Sequence, residues 1–291
     1  MVLDISDNEI DSISLAIENM KSLVSLNLTR NLIVHMPSAI GLLTNLTHLN
    51  IDSNALYSIP PTIWNLQKLM TLHLSHCMLN ESIAQEIGRL TNLVTLDMSS
   101  NMLLGPIPPN IGKLKSLVTL HLSSNMLVGP IPSSLSNLTN LTTLSLEGNQ
   151  LNGSIPKEIG NMKNLRFLRL SSNKILGPLP PNLGDLSNLE FLYLYGNQIN
   201  GSIPSEITNL NSLSVLYLHS NFFEGFIPSD IGRLKNLTVL SLFYNKLTGP
   251  IPSTLCHLTN LEALSLSRNL LNGSNPSGIG KIGRASCRER V

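Results

Sequence analysis

The chain has 291 residues, a formal net charge of +1 at pH 7, 13% charged residues and 4% aromatic residues. So balanced a charge leaves no basic stripe for a phosphate backbone, and nucleic acid is not expected as a partner. No run approaches the ~18 apolar residues of a membrane-spanning helix, so a tie to a membrane is expected only through a segment outside this chain.

The chain opens inside a repeat: Met1-Val2-Leu3-Asp4-Ile5-Ser6 already alternates and reads neither as a signal peptide nor as a cap. One turn position then recurs at Asn8, Asn31, Asn54, Cys77, Asn101, Asn125, Asn149, Asn173, Asn197, Asn221, Asn245 and Asn269. Its first three spacings are 23 residues and the remaining eight are 24. A fixed period of this length means a solenoid, in which each coil buries its apolar face only against its neighbours.

The coil at Leu93–Ser116 shows the job of each position. Leu93, Leu96 and Met98 alternate inward as a short strand, while Thr95, Asp97 and Ser99 face out. Asn101 ends the strand, where its amide can satisfy main-chain groups stranded by the turn. Gly105 allows a backbone conformation or approach that a side chain blocks. Pro108 fixes φ and removes a donor, so an extended or irregular stretch follows rather than a long helix. Ile107, Ile111 and Leu114 are expected to fill the core from the opposite side. The early coils are one residue short at the glycine, and the next has Glu81 and Ala84 in place of Gly and Pro.

Residues 1–282 therefore read as one repeat domain, uncapped at both ends and expected to fold poorly on that account. Gly283 to Val291 leave the register and read as a foreign tail. The three cysteines make no disulfide framework: Cys77 takes the asparagine position, Cys256 a slot held elsewhere by Gly or Ser, and Cys287 lies in the tail.

Gly105-Pro-Ile-Pro108 returns at Gly129, Gly153, Gly177, Gly201, Gly225, Gly249 and Gly273, the last departing at Asn275. With these copies the chain resembles the plant-specific class of leucine-rich repeat. That class occurs in extracellular domains of receptor-like kinases, in receptor-like proteins and in polygalacturonase-inhibiting proteins. The resemblance covers residues 1–282 and implies an α/β solenoid, a right-handed superhelix of about 12 coils. It further implies a parallel sheet on the concave face, with short second strands and irregular or 3-10 turns on the convex face. The concave face would bind a peptide or protein, with a co-receptor as a further partner, outside the cell at the plasma membrane or in the wall. No catalysis and no cofactor are expected of this chain; a serine/threonine kinase would lie in a part of the protein outside it.

The outward strand positions change character along the chain. Ser25, Asn27, Asn50, Thr71, Thr95, Thr119 and Thr143 are small and polar. From Phe167 and Arg169 onward they become aromatic: Phe191, Tyr193, Tyr195, Tyr217 and His219, then Phe243 and Tyr244. Neighbouring strands set such residues side by side, and exposed aromatics edged by an arginine suit a binding face. The plainer alternative is lateral stacking that stiffens the sheet. The strand reads Arg169-Leu170-Ser171, without the Arg-x-Arg of some peptide-hormone receptors of the family, so capture of a free peptide C-terminus is not expected.

Other features carry less. Gly278-Ile-Gly280-Lys-Ile-Gly283 matches a dinucleotide fingerprint but lacks the βαβ unit that motif needs. His48, His73, His76 and His121 suggest a metal, yet His73 and His121 lie two coils apart and no carboxylate or cysteine completes a set, so none is expected. Asp52, Asp97 and Glu147 raise glycoside hydrolysis, at a marginal spacing and without a cleft. Sequons occur at Asn27, Asn45, Asn80, Asn137, Asn140, Asn152, Asn200, Asn236 and Asn272. All but Asn27, which lies on the strand face, are taken as glycosylation candidates. A cell-surface receptor ectodomain is the first reading, and a soluble inhibitor of a wall-degrading enzyme the second.

Overall fold

The computed structural model describes residues 1–278 and Gly280. The expected foreign tail, Cys287 and the end of the glycine motif lie outside those residues. The chain divides into two compact units, Met1–Gln150 and Leu151–Val291.

In the first unit, three-residue strands at Val2–Asp4, Ser25–Asn27, His48–Asn50, Thr71–His73, Thr95–Asp97, Thr119–His121 and Thr143–Ser145 pair in parallel in chain order. The leucine at each strand centre, from Leu26 to Leu144, is buried, and Leu49, Leu72, Leu96, Leu120 and Leu144 are 0% exposed. Each strand is short because the residue before the ladder asparagine turns left-handed. Asp7, Arg30, Ser53, His76, Ser100 and Ser124 all have φ between 50° and 57°. Serine, arginine and histidine share no turn chemistry that would reveal this column in the sequence, whereas Gly105 takes the left-handed backbone that a glycine there allows, with φ 71°.

A 3-10 helix follows each strand on the far side. Pro109–Lys113 starts behind Pro108, and Leu114 closes it by donating its N–H to the Ile111 carbonyl at 3.1 Å. Ile107, Ile111 and Leu114 are buried beneath the strands, as the spacing requires.

Asn101 does what its position predicts. Its Nδ2 donates to the carbonyls of Leu74 (2.8 Å), Met98 (3.1 Å) and Ser99 (3.1 Å), and its Oδ1 accepts the Leu79 N–H at 3.1 Å. At Cys77 the thiol meets only the carbonyls of Ile51 (3.4 Å) and Ser75 (3.6 Å) as a donor, and burial pushes its pKa up to about 11. A second asparagine ladder runs behind the 3-10 helices. Asn45, Asn92 and Asn140 donate to the carbonyls of Lys21, Gln67 and Lys115 at 2.8–3.0 Å. Its signal was present as a recurring Asn-Leu, but at Asn45 and Asn140 it coincides with sequons and was read only as such.

The second unit repeats this plan. Phe167–Arg169, Phe191–Tyr193, Val215–Tyr217, Val239–Ser241 and Ala263–Ser265 form one parallel sheet in chain order. A flank series of short strands, Leu176–Gly177, Gln198–Ser202, Phe222–Gly225, Lys246–Pro250 and Leu270–Asn272, pairs in parallel beside it. The second ladder continues through Asn188, Asn236 and Asn260, each donating to a carbonyl of the preceding coil at 2.8–2.9 Å.

Candidate ligand-binding face

The strand face of the second unit carries three outward columns. The first holds Phe167, Phe191 and Val215; the second Arg169, Tyr193 and Tyr217; the third Tyr195, His219 and Phe243. In-register parallel strands lie about 4.8 Å apart, which is also the distance at which aromatic rings stack. The rings use it. Phe167 and Phe191 stack at 4.8 Å, Tyr193 and Tyr217 at 5.0 Å, Tyr195 and His219 at 4.7 Å, and His219 and Phe243 at 4.4 Å.

Edge contacts tie the columns together: Phe191 meets Tyr193 at 6.3 Å and Tyr217 meets His219 at 5.6 Å, with interplanar angles of 83° and 67°. The result is one diagonal stripe from Phe167 to Phe243. Every member is half-buried, so each presents part of a ring to solvent. Lateral stacking and an exposed aromatic face are thus the same arrangement here.

Arg169 closes one end of the second column, its guanidinium carbon 5.4 Å from the centre of the Tyr193 ring. Its Nε is buried and donates to no acceptor. An unpaired charged donor costs free energy that an incoming acceptor would recover. Two residues that the sequence reading missed support this end. Arg166 Nε donates to Glu190 Oε1 at 2.8 Å, and its guanidinium lies 5.7 Å from the Phe167 ring centre. Their signal was opposite charge at the same position of adjacent coils.

His219 sits between Tyr195 and Phe243 with Nδ1 3.1 Å from Ser241 Oγ, and burial holds its pKa below the usual histidine value. Tyr244 does not join the stripe. It occupies the left-handed turn position (φ 54°), is 56% exposed and lies beneath Arg268, 5.8 Å from its guanidinium carbon. Strand alternation ends one residue earlier, which is why the pair Phe243-Tyr244 separates.

The polar features of the first unit resolve into local structure. Asp52 and Asp97 cap strand ends: Asp52 Oδ1 accepts the Ser75 N–H at 2.6 Å, and Asp97 Oδ1 accepts the Ser99 hydroxyl at 2.6 Å. Each also stands beside a histidine, His73 at 3.7 Å and His121 at 3.6 Å, where the sequence pointed to no carboxylate partner. Burial raises the Asp97 pKa, but hydrogen bonds from His121 and Ser99 outweigh it and the net shift is downward. The sets stop at two groups; among the described residues no three metal-capable side chains gather. Asn27 is half-buried, and its Nδ2 donates to Asp4 Oδ2 at 3.1 Å.

Comparison with known proteins places this geometry. The model of a leucine-rich repeat region matches residues 2–103 and 144–281, and a second leucine-rich repeat model matches residues 111–175. Comparison with the curated proteins finds no match. Among solved structures, the plant peptide hormone receptor RGFR1 in complex with RGF2 superposes with a TM-score of 0.93 at 37% identity, over 96% of this chain and 45% of that one. The ectodomain of the membrane receptor kinase GASSHO1/SCHENGEN3 from Arabidopsis thaliana, in complex with CASPARIAN STRIP INTEGRITY FACTOR 2, gives 0.91 at 37% identity, over 96% and 34%. The PEPR1–AtPEP1 structure gives 0.92 at 35% identity, over 97% and 40%. The chain spans less than half the length of each of these. Repeat period, asparagine ladder and matched family models agree, and the chain belongs to the leucine-rich repeat family.

Proposed function

We propose that this chain is a ligand-sensing portion of a plant cell-surface receptor, and that the aromatic stripe from Phe167 to Phe243 binds an extracellular peptide or protein. The stripe itself carries the reading: half-exposed rings, held rigid by stacking, beside a buried guanidinium nitrogen without an acceptor. Stacked rings offer apolar area at little entropic cost, and Arg169 offers a charge-assisted hydrogen bond to a carboxylate or carbonyl. Similarity to a plant peptide hormone receptor and to a plant membrane receptor kinase ectodomain, each solved in a complex, favours a receptor over a soluble enzyme inhibitor. A membrane anchor, a kinase and a co-receptor contact belong, on this reading, to the longer protein, which works at the outer face of the plasma membrane.

The test is binding of the purified chain to a panel of synthetic secreted plant peptides by calorimetry. Tyr193→Ala, Tyr217→Ala and Arg169→Ala are each expected to weaken a peptide that binds by about tenfold or more, the scale of a buried interface anchor. Thr95→Ala on the polar part of the strand face is expected to leave it unchanged. Equal loss at Thr95, or none at Tyr193, Tyr217 and Arg169, would place the site elsewhere.

A further inference from the structure

The flank sheet of the second unit holds a groove that the ligand-binding reading does not use. Its volume is about 540 Å3, and Pro178, Asn200, Gly201, Phe222, Glu224 and Lys246 line it. That is within the size range of pockets that hold small organic ligands. One of its lining residues, Asn200, is the acceptor of the sequon Asn200-Gly201-Ser202.

Alternation in Gln198–Ser202 buries Ile199 and turns Asn200 outward; in Phe222–Gly225 it buries Phe223 and turns Phe222 outward. Asn200 and Phe222 are direct register partners, so their side chains rise together from adjacent strands. Phe222 is 47% exposed although its strand is paired on both sides, and Lys246 Nζ stands 5.3 Å from its centre. Gly201 has φ 73° and presents no side chain of its own to the groove. An acceptor amide, an exposed ring and a space of this size thus meet at one point.

We infer that Asn200 carries an N-linked glycan whose first N-acetylhexosamine lies in this groove against Phe222. The inference rests on the extracellular reading above, because the modification requires passage through the secretory pathway. In the transfer, Asn200 Nδ2 bonds to the anomeric carbon of a lipid-diphosphate-linked oligosaccharide. The carbon–oxygen bond to the diphosphate breaks, the diphosphate keeps the electron pair, and the amide nitrogen gives up one proton. The apolar face of the sugar ring then covers apolar carbon of Phe222 that is otherwise left in water, while its hydroxyls and acetamide meet the Glu224 and Lys246 side of the groove.

Of the candidate asparagines only Asn200 lines this groove, and four of the others differ from it in a further respect. Asn45, Asn140 and Asn236 each commit an Nδ2 hydrogen to a carbonyl of the neighbouring coil. Asn272, on the last flank strand, is paired with Pro250 and has no aromatic register partner.

The experiment is secretion of the full chain from plant cells behind an added signal peptide, followed by glycopeptide mass spectrometry and thermal unfolding. Asn200 is expected to be occupied in most molecules. Phe222→Ala is expected to lower Tm of the glycosylated protein by about 2–4 °C and to leave Tm nearly unchanged in a Ser202→Ala background. Ser202→Ala removes the sequon while retaining Asn200, so it keeps the comparison valid if Asn200→Gln folds poorly. Occupancy at other sequons with Asn200 bare would overturn the groove assignment and leave the extracellular reading standing. Occupancy at Asn200 with equal Phe222→Ala effects in both backgrounds would also overturn it. A secreted chain bare at every sequon would overturn the groove assignment, whereas peptide binding through Tyr193 and Tyr217 would still test the receptor reading separately.

Discussion

At Asn221 one amide bonds four main-chain groups. Nδ2 donates to the carbonyls of Leu194, Leu218 and His219, and Oδ1 accepts the Ile199 N–H at 3.1 Å, with the residue 4% exposed. Truncation leaves the Ile199 N–H without its acceptor and takes one of two donors from each carbonyl, which keep Asn197 Nδ2, Asn245 Nδ2 and the Gly196 N–H, so Asn221→Ala should lower stability by about 2 kcal/mol in urea titrations. The converse applies at Cys77, whose thiol replaces good hydrogen bonds by weak ones: Cys77→Asn should raise stability by about 1 kcal/mol. His219 sets a pH dependence. Burial holds its folded pKa below the ordinary 6.5, so the unfolded chain takes up the proton more readily. Its contribution is complete above about pH 6.5 and is lost as the pH falls through that value toward the folded pKa. His219→Gln should therefore flatten the loss of stability on acidification, measured by unfolding at stepped pH values.

The elements are short strands and single 3-10 turns, and their spacing is kept by what they lack. In the second unit a Cβ added at Gly184 would fall on the Glu206 carbonyl oxygen of the next coil, and one at Gly232 on the Thr254 carbonyl oxygen. Those glycines let successive 3-10 helices approach backbone to backbone. Where a side chain stands at the same position it is accommodated locally, as at Thr208, whose hydroxyl turns back to the Ser205 carbonyl at 2.8 Å. Gly184→Ala has no such escape, and overpacking should cost about 2 kcal/mol, read as a lower denaturation midpoint with unchanged slope.

On the scale of the whole molecule, the two units differ in what their strand faces offer: small polar residues and His–Asp pairs in the first, stacked rings in the second. Hydrogen exchange with a bound peptide should show added protection over residues 191–195 and 215–219 and none over 25–52; protection spread evenly would contradict an aromatic binding face. The range of the interactions decides how much of this the sequence alone carries. A solenoid coil touches only its neighbours, so the spacing of leucine and asparagine by itself determined the coil, its buried face, the ladder at Asn101 and Asn221, and the strand positions of Phe167 to Phe243. The left-handed column through Ser100 and Ser124, the exit of Tyr244 from the stripe, the Arg166–Glu190 pair and the orphaned Nε of Arg169 were decided only by the tertiary structure. These depend on how each coil closes and on which rotamers adjacent strands allow, and residues 24 positions apart in sequence settle that only when the fold brings them to within a strand spacing.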